Sequence, residues 1–435
     1  MTSSDHTNPA DTEFGLEVFQ NEYLATGAGM VHAVVSVSCS SGWGSTLATA
    51  DAEAAEVIVI DASGSMGSQR KMAHARKAAA AAVACLRDGT RFAVLAGTQG
   101  ARPVYPTVGL AVASAATRKE AADRLRRVRA FGGTAIGTWL LTARDLLTEC
   151  GGANRHVILL TDGQNDGESP EAFLAAIEAT RGMFQCDCRG VGADWRVDEM
   201  RAVASQLLGT VDVIPDPSMM EADFLSMMQQ SMGRRAGSVA LRVWTPTGAR
   251  LSFLRQVHPN LEDLAANVTR VDDHLVDHPT GAWGAERRDY HLCVEVPPQA
   301  PGREMLAARV QMVTTTAEGS VSSRPALIRA VWTDDEALST RINREVAHYT
   351  GQTELALAIQ SGLASRRAGD VESAVSSLGR AVSLAAASGN DDALARLSAV
   401  VEILDARDGS VRLRERVDAV AEVVADARST RTRAR

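Results

Sequence analysis

From Glu56 to Gly233 the chain alternates near-continuous apolar runs with amphipathic helical segments, and few folds accept that pattern. Val57-Ile58-Val59-Ile60 and Val157-Ile158-Leu159-Leu160 are apolar at every position, so each strand must be covered on both faces. The same grammar predicts strands at 91–96, 101–107, 186–191 and 211–214. Helices are predicted at 68–87, 118–128, 135–149, 170–180, 197–208 and 219–232. Parallel strands joined by helical crossovers make an α/β doubly wound sheet. In the last helix Met219, Met220, Met227, Met228 and Met232 fall at helical spacing, which reads as core or domain-interface packing.

On either side of this unit the pattern changes. Residues 14–41 read as strands, with Val34, Val35 and Val37 in a β-rich run. From 238 to 332, short runs alternate with turns such as Pro246-Thr247-Gly248 and Pro297-Pro298. Neither stretch contains helices, so both are assigned to one β-sandwich into which the α/β unit is inserted. From 334 onward Ala, Leu, Val and Arg dominate, with helix breaks expected at Gly351, Gly369, Gly389 and Gly409. Gly369-Asp370 followed by Ala374, Leu378 and Ala381 resembles one tetratricopeptide-type unit. A single unit is no array, and the segment reads as a three- or four-helix bundle. The expected organisation is a disordered tail over 1–13, sandwich strands over 14–50 and the α/β domain over 51–235. The sandwich continues over 236–333, helices fill 334–427, and a basic, disordered tail ends the chain over 428–435.

Composition narrows the function. The 45 Lys and Arg against 53 Asp and Glu leave a net charge of −8, and aromatic residues make up 4%. Such a chain lacks both the basic excess and the stacking surfaces of a nucleic-acid binder. The run from Arg118 through Arg124, Arg126, Arg127 and Arg129 reads as a solvated helix face. No apolar stretch is long enough to span a membrane, and the polar start Met1-Thr2-Ser3-Ser4 is unlike a secretory signal. Six scattered cysteines, with Cys186 and Cys188 two apart in a strand, read as reduced thiols of a cytoplasmic protein. His258, His274, His278 and His291 show no metal spacing and are expected to be exposed or in loops.

The informative residues stand where two apolar strands end. One runs into Asp61-Ala62-Ser63-Gly64-Ser65-Met66-Gly67, the other into Thr161-Asp162-Gly163. Between them lies Phe131-Gly132-Gly133-Thr134-Ala135, a Gly-rich loop that opens a helix. In a doubly wound sheet the loops at the carboxyl ends of the strands share one crevice, where ligands bind. Two carboxylates and three hydroxyls, without His or Cys, suit a hard divalent cation: Mg²⁺, or else Mn²⁺ or Ca²⁺. Ser63, Ser65 and Thr134 can coordinate directly while Asp61 and Asp162 orient waters, leaving an electrophilic ion with a position for an external carboxylate. Asn165 and Asp166 are read as a solvated turn on the rim.

Asp61-x-Ser63-x-Ser65, Thr134 and Asp162-Gly163 resemble the metal-ion-dependent adhesion site of von Willebrand factor A domains, over about Glu56 to Gly233. The resemblance implies Ser63, Ser65 and Thr134 as direct ligands and the two aspartates as acting mainly through water. With the flanking strands and helices, the whole chain is similar to intracellular bacterial A-domain proteins. The expected function is a cytoplasmic, metal-dependent protein-interaction module whose partner presents an Asp or Glu to the ion. One rival is a structural or assembly subunit in which the ion only staples the fold. The other is a hydrolase using Ser65, but Ser63-Gly64-Ser65-Met66-Gly67 lacks the first Gly of a nucleophile elbow, and no His lies between Asp162 and Gly233. No catalytic residue is assigned, and the chain is read as a non-enzyme.

Overall fold

The computed structural model describes residues 14–39, 54–150, 154–234, 236–265, 267–316 and 319–434, so the tail assigned to 1–13 lies outside the described residues. The chain divides into two compact units, one built on 48–237 together with 418–428, the other on the segments before, between and after these.

The first unit contains strands β1 (Ala55–Asp61), β2 (Arg91–Gly97), β3 (Ala101–Tyr105), β4 (Arg155–Thr161), β5 (Gln185–Val191) and β6 (Val211–Ile214). Their order in the sheet is β6-β5-β4-β1-β2-β3. The first five in that order are parallel, and β3 returns antiparallel along β2. The helices are α1 (Lys71–Ala84), α2 (Ala115–Leu125), α3 (Ile136–Thr148), α4 (Pro170–Thr180), α5 (Val197–Gln206) and α6 (Met220–Gly233). Alternate residues of each central strand feed opposite cores, because successive strand side chains point to opposite faces. Ile58, Ile60 and Phe92 pack with α1 and α6, including Met220, Met227 and Met228. Val57, Val59 and Leu95 pack with Trp139, Phe173 and Met200 on the other side. Gly97 must be glycine: a Cβ there would lie 2.4 Å from the Trp139 ring. That ring is fixed in turn by its Nε1–H, which donates to Thr98 O at 2.7 Å.

The second unit holds the sandwich. Its five-stranded sheet runs in the order Phe14–Gln20, Met30–Cys39, Arg287–Glu295, Arg250–His258, Glu262–Asp263. Met30–Cys39 pairs antiparallel with Arg287–Glu295 over nine residue pairs from Arg287↔Ser38 to Glu295↔Met30, so strands before and after the α/β unit share one sheet. The seven-stranded sheet carries Leu275–Trp283, Ala236–Trp244, Glu304–Thr316 and Ala326–Thr333 at its centre. His278 and His291 are buried within strands rather than exposed or in loops, and burial pushes the His291 imidazole down to about 4.

The region after 334 departs from a simple bundle. Arg344–Arg367 passes through Gly351 as one helix, Val371–Ala387 packs back on it with Leu378 against Gly362, and Asp391–Val400 follows. Strands Val401–Asp405 and Ser410–Leu413 then form a hairpin where helix was expected. Ala419–Ala427 is helical but belongs to the α/β unit, where Ala427 joins the core beside Val213. Residues 428–434 of the basic tail are ordered. Within the α/β unit the Arg428 guanidinium donates to Asp212 Oδ1 at 2.9 Å and to Val213 O at 3.2 Å. In the sandwich unit Thr432 donates to Val257 O at 2.6 Å and Arg431 bridges to Asn260. Alternating cations in a short polar stretch look solvated unless the acceptors they meet, 170 or more residues earlier, are known. We expect Arg428→Ala to cost about 1.5–3 kcal/mol, the range for a charge-assisted hydrogen bond. Urea denaturation reads this out, and a loss under about 0.5 kcal/mol would mean that the segment does not brace β6. Among the described residues no helix is long and apolar enough to cross a membrane.

Candidate metal centre

β1 and β4 are direct neighbours, pairing in parallel from Ala55↔Arg155 to Ile60↔Leu160, so Asp61 and Asp162 leave the sheet side by side. The chain moves from β1 outward to β2 and later returns to β4 on the other side of β1, which makes this gap the topological switch point. The loop before α3 is tied to the serine loop by the backbone: Phe131 N donates to Ala62 O at 2.8 Å and Gly64 N to Gly132 O at 2.9 Å. These bonds bring the Thr134 loop over the Ser63–Ser65 turn.

Every sequence-predicted site residue reaches this crevice. Ser63 Oγ and Ser65 Oγ lie 3.0 Å apart. A Cβ placed on Gly163 would sit 3.6 Å from both Ser65 Oγ and Thr134 Oγ1, so those two hydroxyls flank the same small volume. The carboxylates stand behind them with their oxygens engaged. Asp61 Oδ1 accepts from Ser63 N at 2.7 Å and Oδ2 from Thr161 Oγ1 at 2.8 Å. Asp162 Oδ1 accepts from Ser65 Oγ at 2.6 Å, and Oδ2 from Lys71 Nζ at 2.7 Å. Asp61, Asp162, Ser63 and Thr134 are buried, while Ser65 is exposed at the mouth. Burial pushes the Asp61 carboxyl above its usual range, against the hydrogen bonds from Ser63 and Thr161, and the Asp162 charge adds to the rise.

The donor set fits a hard ion. Neutral hydroxyls line the opening and negative charge lies behind them, the arrangement an oxygen-seeking cation needs. No group of three or more His, Cys, Asp and Glu side chains among the described residues could hold a metal ion, so the crevice depends on its hydroxyls.

Three features of the α/β unit, two of them at the site, escape a reading of the sequence. Asn165 is half-buried and structural rather than a solvated turn: its Oδ1 accepts from Ile136 N at 2.7 Å, and Glu168 Oε1 accepts from Gly137 N at 2.6 Å. The loop after β4 thus caps α3, the helix that begins two residues after Thr134, by satisfying two of its orphan N–H groups. Gly167 makes this approach possible, since a Cβ there would meet Thr134 O at 2.6 Å. Lys71 is the second feature. Its one signal in sequence is a cation in the first turn of a predicted helix, against the macrodipole. The third lies at the opposite, amino-terminal end of the sheet, where His156 is buried between Glu56 (Nδ1···Oε2 2.7 Å) and Asp187 (Nε2···Oδ2 2.8 Å).

A central parallel sheet with helices on both faces and a hydroxyl-lined crevice at its switch point defines a doubly wound α/β domain of the ligand-binding class. The family model of the von Willebrand factor type A domain matches residues 55–213, and that of the von Willebrand factor type A C-terminal domain matches 383–429. The solved structure of von Willebrand factor type A from Catenulispora acidiphila is 44% identical, with 97% of each chain covered and a TM-score of 0.91. The chain belongs to the von Willebrand factor type A family. The ArnB paralog VWA2 from Sulfolobus acidocaldarius shares the fold at 14% identity, covering 95% of this chain and 97% of its own, with a TM-score of 0.57. An uncharacterised protein of Synechocystis is 26% identical over 235 residues, 51% of this chain and 54% of its own, so this chain spans about half the length of the curated relative it matches. Domains of this family are in general non-catalytic modules that mediate protein–protein interaction.

Proposed function

We propose that this protein is a metal-dependent interaction module that grips a partner's Asp or Glu through a hard divalent ion. Mg²⁺ is the first candidate, with Mn²⁺ and Ca²⁺ as alternatives. Ser63, Ser65 and Thr134 would hold the ion directly, and Asp61 and Asp162 would act through ordered water. The ion would supply a Lewis-acidic site for an incoming carboxylate oxygen. The observation that carries this reading is the division of labour in the crevice: three hydroxyls converge in it, that of Ser65 at the mouth, while donors of the protein itself occupy the carboxylate oxygens. Negative charge held one shell away quenches the ion's pull on an external anion less than a directly bound carboxylate would. A cytoplasmic setting, read from the cysteine pattern, belongs to the same proposal.

The rival in which the ion is only a staple finds less support, because backbone bonds between the Thr134 and Ser63 loops already tie the crevice together. Calorimetric titration of Mg²⁺ into the full chain tests the site. Asp61 is wholly buried and bonded to Ser63 N and Thr161 Oγ1, so its isosteric Asp61→Asn is the informative variant and alanine is not. Outer carboxylates of metal sites are worth about 10- to 100-fold in affinity, and we expect a loss of that size with the fold retained. Unchanged affinity in the folded variant would remove the ion from this crevice.

A further inference from the structure

We propose that Lys71 is a resident cation of the metal crevice, which weakens the hold on the ion and thereby strengthens the ion's hold on the partner's carboxylate. This rests on the metal-dependent reading above. The Lys71 ammonium lies 2.7 Å from Asp162 Oδ2 and 3.9 Å from Asp194 Oδ2, with its side chain 5% exposed. Lysine is almost never so buried unless paired. The other Asp162 oxygen receives Ser65 Oγ at 2.6 Å, so the ammonium and a proposed ligand hydroxyl share one carboxylate.

The backbone is bent to deliver this side chain. Gln69 and Arg70 both adopt left-handed conformations, φ 48° and 58°, immediately before α1 begins at Lys71. Two successive residues with side chains in that region are costly, and such strain collects at functional sites. A helix starting at Ser68 would have avoided it.

Charge counting gives the consequence. Asp61, Asp162 and Lys71 together carry about −1, the Asp194 carboxylate being 79% exposed and screened by water, so a divalent ion would leave the buried crevice near +1 instead of neutral. The like charge of the ammonium opposes loading of the ion. Once the ion is loaded, the same surplus attracts an external carboxylate that a neutral crevice would bind weakly. A purely structural ion pair would predict only lost stability on replacing Lys71.

The test uses the full chain and Lys71→Met, which keeps the length and apolar stem of the side chain, beside Lys71→Arg, which keeps the charge. Mn²⁺ titration by calorimetry should show Lys71→Met binding the ion about 10- to 100-fold more tightly, with Lys71→Arg near wild type. At saturating Mn²⁺, acetate serves as the carboxylate probe, read by paramagnetic broadening of its methyl protons. Its affinity should fall several-fold in Lys71→Met and recover in Lys71→Arg. If Lys71→Met fails to fold by circular dichroism, Lys71→Gln takes its place in both titrations. Wild-type protein that binds Mn²⁺ while the neutral variants bind it equally or more weakly overturns this proposal and leaves the metal site standing. Wild-type protein that takes up neither Mn²⁺ nor Mg²⁺ overturns both.

Discussion

Replacing His156 with leucine should lower the stability of the protein by about 3–5 kcal/mol, the cost of stranding a buried charge by deleting its partner. The imidazole bridges Glu56 and Asp187, both of them buried, across three neighbouring strands. Ser231 Oγ also donates to Glu56, and Thr210 N and Oγ1 to Asp187, so the carboxylates are held in place and cannot turn to solvent. Burial favours the neutral ring, but the Glu56 charge and the hydrogen bonds to Asp187 and Glu56 push His156 up to about 9. Burial likewise opposes the Asp187 charge, yet the His156 hydrogen bond and the charge of Arg234 hold that carboxyl far below its usual range.

The sign of the pH dependence follows. A histidine at about 9 in the folded chain and 6.5 in the unfolded one contributes its full stabilisation below pH 6.5 and loses it as pH rises through about 9. Urea titrations at pH 6.5 and pH 9.5 should therefore show wild type weakening while His156→Leu changes less over the same interval. A loss under about 1 kcal/mol at pH 6.5, or parallel curves for the two proteins, would mean that the ring is not a buried cation.

Removing the carboxylate of a bound partner should cost about 2–5 kcal/mol where the contact is buried, or roughly 30- to several-thousand-fold in affinity. Chelator should release the same partner. Thr134→Ala removes a hydroxyl that faces the same volume as Ser65 Oγ and should weaken the complex in parallel with ion loss. Asn165→Ala is no neutral control, since it uncaps α3 just after Thr134 and should cost about 1 kcal/mol in stability. Lys119→Ala, on an exposed pair with Asp123 in α2, is the better control. A partner recovered by pull-down whose affinity ignores chelator, Thr134→Ala and Ser63→Ala must dock away from this crevice. The sandwich or the C-terminal helices would then be the working surface.

The sequence alone was enough for the α/β architecture and for five residues of the crevice. Strands apolar at every position, such as 57–60 and 157–160, admit only a sheet covered on both sides, and such sheets collect their ligand loops at one edge. The oxygen donors stood at the ends of those strands, so local pattern and chemistry coincided. The pairing of charges distant in sequence was settled by the assembled fold. His156 meets Glu56, its register partner on β1, and Asp187, two residues beyond its register partner Gln185 on β5, because the three strands are adjacent, and no local pattern states strand order. Lys71 opens α1 directly after two left-handed residues and pairs with Asp162, 91 residues away, a partner that helix propensity does not record. The last helix joins the α/β unit, and Arg428 finds Asp212, through contacts across more than 200 residues of chain. Periodicity reveals which face of an element is buried, because burial acts on each residue in turn. Which charge lies opposite which depends on the assembled sheet, where the cost of leaving either one unpaired is first felt.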